Sequence, residues 1–315
     1  MLFVGAIALT GCRRIFSTES GFAVALLVPG PISDAGWNAA AYDGLKLIGK
    51  RLDARTAMVQ TTSPADFADA MRDFGARGFR LVFAHGFEYS DAALAAGRDF
   101  PHTIFVVTSG GADAANVASI SFKIEEAAYV EGVLAGGVSK TGVVGAIGGI
   151  ELPSLQVAFA GFRRGFLSVR PNGRMLVSYT GNFNDVGAAK EAALAQISHR
   201  ADVLFQDADA AGIGVFEAAA QAHAYAFGII GDQNTVVPGA VLASAVTALP
   251  KAFLLIATEV KNGAFRPGMI QYGMREGMVG VVINPRLRSV IPAATLAQAK
   301  RAEQLIVEGS INLSR

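Results

Sequence analysis

Cysteine is almost missing from this chain. Cys12 is the single one in 315 residues, so no disulfide can close within the chain and stability must come from burial. Histidine is scarce as well: His85, His102, His199 and His223 show none of the paired spacings that hold zinc, so no metal site and no cofactor are expected. Neither charge dominates, since Lys+Arg 27 against Asp+Glu 26 leaves a net +1. Without a basic block to track a phosphate backbone, nucleic acid is not an expected partner. Beyond the N-terminal segment no stretch offers about 20 consecutive apolar residues, the length of a membrane span. No Gly-x-Ser-x-Gly elbow supplies a hydrolase nucleophile and no Gly-x-x-x-x-Gly-Lys-[Ser/Thr] loop cradles phosphates. Gly212-Ile213-Gly214 lacks the third glycine of a dinucleotide fingerprint, and its two glycines suit a tight helix entry. With no nucleophile or acid–base pair to name, the chain is not read as an enzyme.

What the chain has is apolar material. Hydrophobic residues make up 52% and charged residues only 17%, which excludes disorder and leaves enough for two packed cores at this length. Ala23 to Val28 is a short unbroken apolar run closed by Pro29-Gly30-Pro31, the pattern of a strand buried on both faces of a parallel sheet. A helical pattern follows from Trp37 to Leu52. The alternation continues with strands at Thr56 to Gln60, Arg80 to Ala84 and Thr103 to Val107, and helices at Pro64 to Ala76 and Ser90 to Arg98. The second half repeats it. Strands are expected near Val143 to Ile147, Met175 to Tyr179, Val203 to Phe205, Ala224 to Ile229 and Leu242 to Val246, with helices Leu155 to Ser168, Val186 to Ser198, Gly212 to His223 and Lys251 to Asn262. This predicts an α/β chain of two doubly wound parallel-sheet lobes joined by a hinge, with a ligand cleft between them. Residues 22–121 plus 247–272 are assigned to lobe 1 and 122–246 plus 273–315 to lobe 2.

Cys12 closes the sequence Leu9-Thr10-Gly11-Cys12 after an apolar run that begins at Leu2. A small residue before a cysteine at the end of such a run resembles the lipobox of bacterial lipoproteins, although no basic residue precedes Leu2 as it would in a full secretory signal. The resemblance implies that residues 1–21 are a signal and tether, and that a lipid on Cys12 anchors the chain to a membrane at the periplasmic or extracellular face.

Loops at the carboxyl ends of parallel strands carry ligands in open α/β sheets. The first of them, Ile32-Ser33-Asp34-Ala35-Gly36-Trp37-Asn38, holds the chain's one tryptophan beside a carboxylate and an amide. That set offers a stacking face and a hydrogen-bonding edge to a planar polar ligand. Asp34 or Ser33 equally suits a helix cap, and Trp37 equally suits a core.

Together with this loop and Tyr42, the segments Gly86-Phe87, Asp91, Gln156 to Phe162, Gly181-Asn182-Phe183-Asn184-Asp185, Gly212 to Val215 and Gly231-Asp232-Gln233 resemble, in their order and spacing, the basic membrane protein family of substrate-binding lipoproteins. That family includes the bacterial purine nucleoside receptors. The resemblance runs from about Ala23 to Asn284. It implies a type I periplasmic-binding-protein fold that delivers nucleosides or related compounds to an ABC permease. By position it implies that Asp34 reads a base, that Trp37 and Phe183 stack on it, and that Asp232 binds ribose hydroxyls. Phe87, Asn38 and Asp209 complete the candidate set. Three positions depart from the family. Val106-Val107-Thr108-Ser109 has no base-reading Asp, Asp209 stands at a family glycine, and Thr247 replaces a usual lysine. Those departures suit a bare nucleobase or a ligand with a different polar edge, and Asp209 adds an acceptor for a cationic or hydroxyl-rich group. Asp232 also suits a turn and Phe183 a packing role.

The expected function is therefore extracytoplasmic binding of a purine nucleoside, nucleobase or similar planar polar ligand for an ABC importer. The alternatives are a periplasmic sensor for a signalling partner and a receptor for another solute such as a sugar or flavin. A repressor of the same fold class would need a DNA-binding head where the signal-like segment lies.

Overall fold

The computed structural model describes residues 21–33 and 36–313. Cys12 and Asp34, both singled out above, lie outside them.

The first sheet is built from β1 (Ala23–Val28), β2 (Arg55–Gln60), β3 (Leu81–His85), β4 (Ile104–Thr108) and β5 (Val117–Phe122), interleaved with α1 (Trp37–Leu52), α2 (Pro64–Ala76) and α3 (Ser90–Asp99). The chain then crosses into α4 (Ile124–Val138) and the second sheet. There β6 (Val143–Gly148), β7 (Arg174–Tyr179), β8 (Val203–Asp207), β9 (Tyr225–Ile230) and β10 (Val241–Thr247) alternate with α5 (Pro153–Val169), α6 (Val186–Ser198) and α7 (Gly212–Gln221). It returns through α8 (Leu249–Lys261) to β11 (Met269–Tyr272), and crosses again to β12 (Val279–Ile283) and α9 (Ala293–Glu308).

Strand order is β11-β5-β4-β3-β1-β2 in one sheet and β12-β10-β9-β8-β6-β7 in the other. Every pairing is parallel except β10 with β12, where Ala245 faces Val281 in an antiparallel register. The chain therefore passes between lobes three times, at β5 to α4, β10 to α8 and β11 to β12.

Both faces of each sheet are covered, which explains the unbroken apolar strands. In β1 all six residues are buried. Val24, Leu26 and Val28 meet Leu45 and Ile48 of α1 and Phe253 and Ile256 of α8. Ala23, Ala25 and Leu27 meet Phe67 and Met71 of α2 and Ala93 of α3. In the second sheet Val144, Phe205 and Phe227 pack under Leu134, Phe162 and Phe166, while Leu204 and Ala226 pack under α6 and α7. Each fully buried Val, Leu, Ile or Phe contributes roughly 1.5–3 kcal/mol, an upper figure because unfolded chains already bury some surface.

Local chemistry sets the helix starts beside the cleft. At α2, Ser63 Oγ accepts from Asp66 N–H at 3.3 Å and Asp66 Oδ2 accepts from Ser63 N–H at 3.1 Å, a reciprocal cap followed by Pro64 in the first turn. At α6, Asp185 Oδ1 accepts from Ala188 N–H at 2.9 Å, and Asn182 Oδ1 accepts from Asn184 and Asp185 N–H. The turn that carries Phe183 is thereby fixed.

α4 and α5 approach so closely that backbone meets backbone. A Cβ on Gly132 would strike the Phe162 carbonyl, and one on Gly165 would strike that of Tyr129. Gly165→Ala is therefore expected to force the helices apart and cost about 1–3 kcal/mol, the usual penalty of overpacking. Denaturant unfolding checks this; unchanged stability would mean the helix pair yields freely.

Candidate functional site

The parallel pairing places the loops after β1, β2, β3, β4, β6, β7, β8 and β9 at carboxyl strand ends, where the two lobes meet. Between them lies a cavity of about 350 Å³ lined by Pro29, Thr61, Thr62, Phe67, Phe87 and Glu88 from one lobe and by Ile150, Leu152 and Phe183 from the other. Phe87 is 54% exposed, an unusual state for a phenylalanine and one that leaves its ring open to this space. Phe183 is half-buried, and its ring fills the space beside Gly149, where a Cβ would collide with it.

Trp37 opens α1 at the interface of the lobes. Its indole stacks on the imidazole of His85, with centroids 4.0 Å apart and planes 24° apart. His85 is fully buried at the end of β3. Its Nε2 lies 2.9 Å from the Trp37 carbonyl and its Nδ1 2.9 Å from Thr108 Oγ1. A carbonyl only accepts, so Nε2 carries the proton and, in neutral imidazole, Nδ1 accepts from the threonine hydroxyl. His85 is thus a structural residue that holds the indole.

Asp209 reaches Trp37 from the opposite lobe. Its Oδ1 accepts from the Trp37 backbone N–H at 3.5 Å. Gly36, the residue just before α1, supplies no side-chain cap, so a carboxylate from the second lobe takes that place at the positive helix end.

The expected residues are thus brought together in two groups, Phe87 with Phe183 and Trp37 with Asp209. Asn38 is buried behind them, with its amide under Gly30. Asp232 is exposed past the end of β9, and its Oδ1 accepts from Asn234 N–H at 3.1 Å.

Backbone strain gathers in the same loops. Ser109, Asp209 and Ile230 have φ of 55°, 51° and 72°, and all three sit at or just past a strand end. A β-branched residue in the left-handed region is uncommon, and such strain persists only where surrounding structure enforces it. Beside Ile230 a buried network does so. Gln206 Nε2 donates to Gln233 Oε1 at 2.7 Å, which also accepts from Ile229 N–H at 3.1 Å. Gln233 N–H donates to Ser244 Oγ at 3.0 Å.

Several groups at these ends are not among the sequence candidates: Thr61, Glu88, Asp207 and Gln206, the partner of Gln233. The signal available for Asp207 was its place as the last residue of an apolar strand. Protein closely surrounds its carboxyl and that desolvation, with the negative charge of Asp209 added, pushes its pKa up to about 7. Burial likewise raises Glu88. Burial raises Tyr179 at the end of β7, with Glu151 and Asp207 adding to it.

Two α/β lobes that meet around a small cavity lined by aromatic rings and the Glu88 carboxylate define a solute-binding protein. No described helix is long and apolar enough to cross a membrane. Residues 22–315 match the family model described as ABC transporter substrate-binding protein PnrA-like, and the chain belongs to that family. Basic membrane protein A2 of Borrelia garinii is 26% identical, over 91% of this chain and 88% of its own. A purine-binding protein of Brucella abortus is 26% identical over 83% and 75%. The transcriptional activator protein med of Bacillus subtilis is 28% identical over 89% and 87%. Among solved structures, an ABC transporter system solute-binding protein from Aeropyrum pernix superposes with a TM-score of 0.83 at 19% identity, covering 92% of each chain; this likeness speaks to the fold.

A carboxyl whose folded pKa is raised stabilises the fold most below its unfolded pKa and loses that advantage as pH rises through the folded one. Asp207→Asn is therefore expected to raise the melting temperature at pH 8 relative to the native chain and to change it little at pH 4. Equal shifts at both pH values would show that Asp207 does not titrate in this range.

Proposed function

We propose that this chain is the extracytoplasmic receptor of an ABC importer and binds a purine nucleoside, nucleobase or similar small planar polar solute between its lobes. The observation that carries this reading is the interlobe cavity, walled by Phe87 and Phe183 from opposite lobes, with the Trp37 indole held nearby by His85. Closing the lobes removes water from the ring faces, and stacking contributes about 0.5–1.5 kcal/mol per aromatic pair beyond the area buried. Asp209 and Asp232, with Asp34 from the loop ahead of α1 and the Asn38 amide, are the proposed polar contacts, since carboxylates accept from base N–H and sugar hydroxyls. The purine-binding relative supports the ligand class.

The site has binding groups and no assigned nucleophile or proton-transfer pair, so the proposed role is binding without turnover. Lipidation of Cys12 is part of the proposal and would hold the receptor next to its permease. The relative named as a transcriptional activator favours one second reading, a ligand sensor with the same cleft. Solute uptake by cells carrying the native gene or a deletion separates the two.

Trp37→Ala is expected to weaken solute binding at least tenfold by calorimetry while the chain still folds. Mass spectrometry of what copurifies with the native protein should find a purine. Unchanged affinity in the variant, or a copurifying sugar, would redirect the assignment.

A further inference from the structure

Glu88 is the one ionisable side chain among the described residues that line the interlobe cavity. The rest of the lining is apolar except for Thr61 and Thr62, whose hydroxyls are already engaged. Thr61 Oγ1 lies 2.8 Å from Tyr89 OH, and Thr62 Oγ1 donates to Asp66 Oδ2 at 3.5 Å. Glu88 is half-buried, and no Lys, Arg or His stands beside it in the lining. The donor that faces its carboxylate is its own backbone N–H.

The chain makes room for this group. The carboxyl folds back over Gly86, where a Cβ would collide with both of its oxygens, and Gly86 has φ of 149°, a conformation that glycine adopts without a steric cost. The exit from β3 therefore sets Glu88 at the cavity wall next to the exposed ring of Phe87.

A carboxylate only accepts, through two oxygens, and it pairs best with two donors that lie side by side. The purine edges differ in what they offer it. Guanine carries N1–H next to its 2-amino group, and hypoxanthine keeps N1–H alone. Adenine sets its amino group beside N1, a bare acceptor that a carboxylate repels.

We infer that Glu88 is a specificity-determining residue of the cleft and reads an adjacent pair of ring N–H and amino donors, so that the solute carries a 2-amino-6-oxopurine. This rests on the reading of the interlobe cavity as the ligand site. A site built to bond such donors rejects the analogue that lacks one, because its desolvated acceptor is left unpaired. The 2-amino-4-oxo ring of a pterin bears the same donor pair, and the test separates the two sources.

The experiment is calorimetry on the native chain with guanosine, inosine, adenosine and biopterin. Guanosine is expected to bind at least about tenfold tighter than inosine, which lacks only the 2-amino group, and adenosine more weakly than inosine. In the nearly isosteric Glu88→Gln the amide offers one acceptor and one donor, the match for the amino group and N1 of adenine. Guanosine should then weaken at least about tenfold while adenosine tightens, a reversal that a merely structural role would not produce. Should the variant not fold, the order of the nucleosides on the native chain still decides.

Equal affinity for guanosine, inosine and adenosine, or a uniform loss of all three in Glu88→Gln, would overturn the role of Glu88 and leave the nucleoside reading standing. Binding of biopterin while the nucleosides fail would keep the donor-pair inference for Glu88 and overturn the purine. Failure of every compound would remove both.

Discussion

The parallel pairing of strands is the constraint from which the site follows. A parallel neighbour can be reached only by crossing back over the sheet, so successive strands start at one edge and end at the other. The loops at the finishing edge then gather in one place although they lie far apart in sequence. Thr61, Phe87, Ile150 and Phe183 come from four such loops and two sheets, and they share one cavity. The crossings at β5 to α4, β10 to α8 and β11 to β12 tie the sheets along one side, so the edges that carry the loops face each other. The glycine contacts between α4 and α5 pack the first of these crossing helices tightly into the second lobe.

At that meeting edge the protein spends stability on polar arrangement. Asp207 is desolvated beside Asp209, His85 is buried with both ring nitrogens bonded, and Ile230 is held at positive φ. The buried amides of Gln206 and Gln233 hold these loops from behind. None of this helps the cores, which are apolar and close-packed. A rigid, polar edge mounted on apolar layers is what a binding cleft requires, because contacts that are already oriented lose little entropy when a solute arrives. The hydrogen bond from Trp37 N–H to Asp209 adds a direct link between lobes, tying the stacked indole of one to the acidic loop of the other.

Much of the fold was legible because local chemistry and tertiary packing agreed. The run Ala23 to Val28 became a strand of that extent, and the helices Trp37 to Leu52, Pro64 to Ala76 and Val186 to Ser198 have the bounds the sequence pattern predicted. The elements left unread were those for which the local signal was weak. α4 is buried on most of its circumference, including Ala127, Val130, Glu131 and Leu134, so it shows no amphipathic stripe. β11 and β12 are short and partly exposed, and β5 and α9 were likewise not assigned. The antiparallel return of β12 against β10 has no local cue, because nothing in a strand's own residues states the direction of its neighbour.

The sequence by itself determined the alternation of buried strands and amphipathic helices, the presence of two cores, and which residue types stand at the strand ends. Those are properties of neighbours along the chain, set by periodicity, capping and turn chemistry. Only the tertiary structure decided that Phe87 and Phe183 line one cavity, that His85 serves the Trp37 indole, and that Asp209 ends at the helix start of the other lobe. Such pairings depend on sheet order and on how the crossings bring one lobe to the other, and these arise from long-range packing that no local pattern encodes.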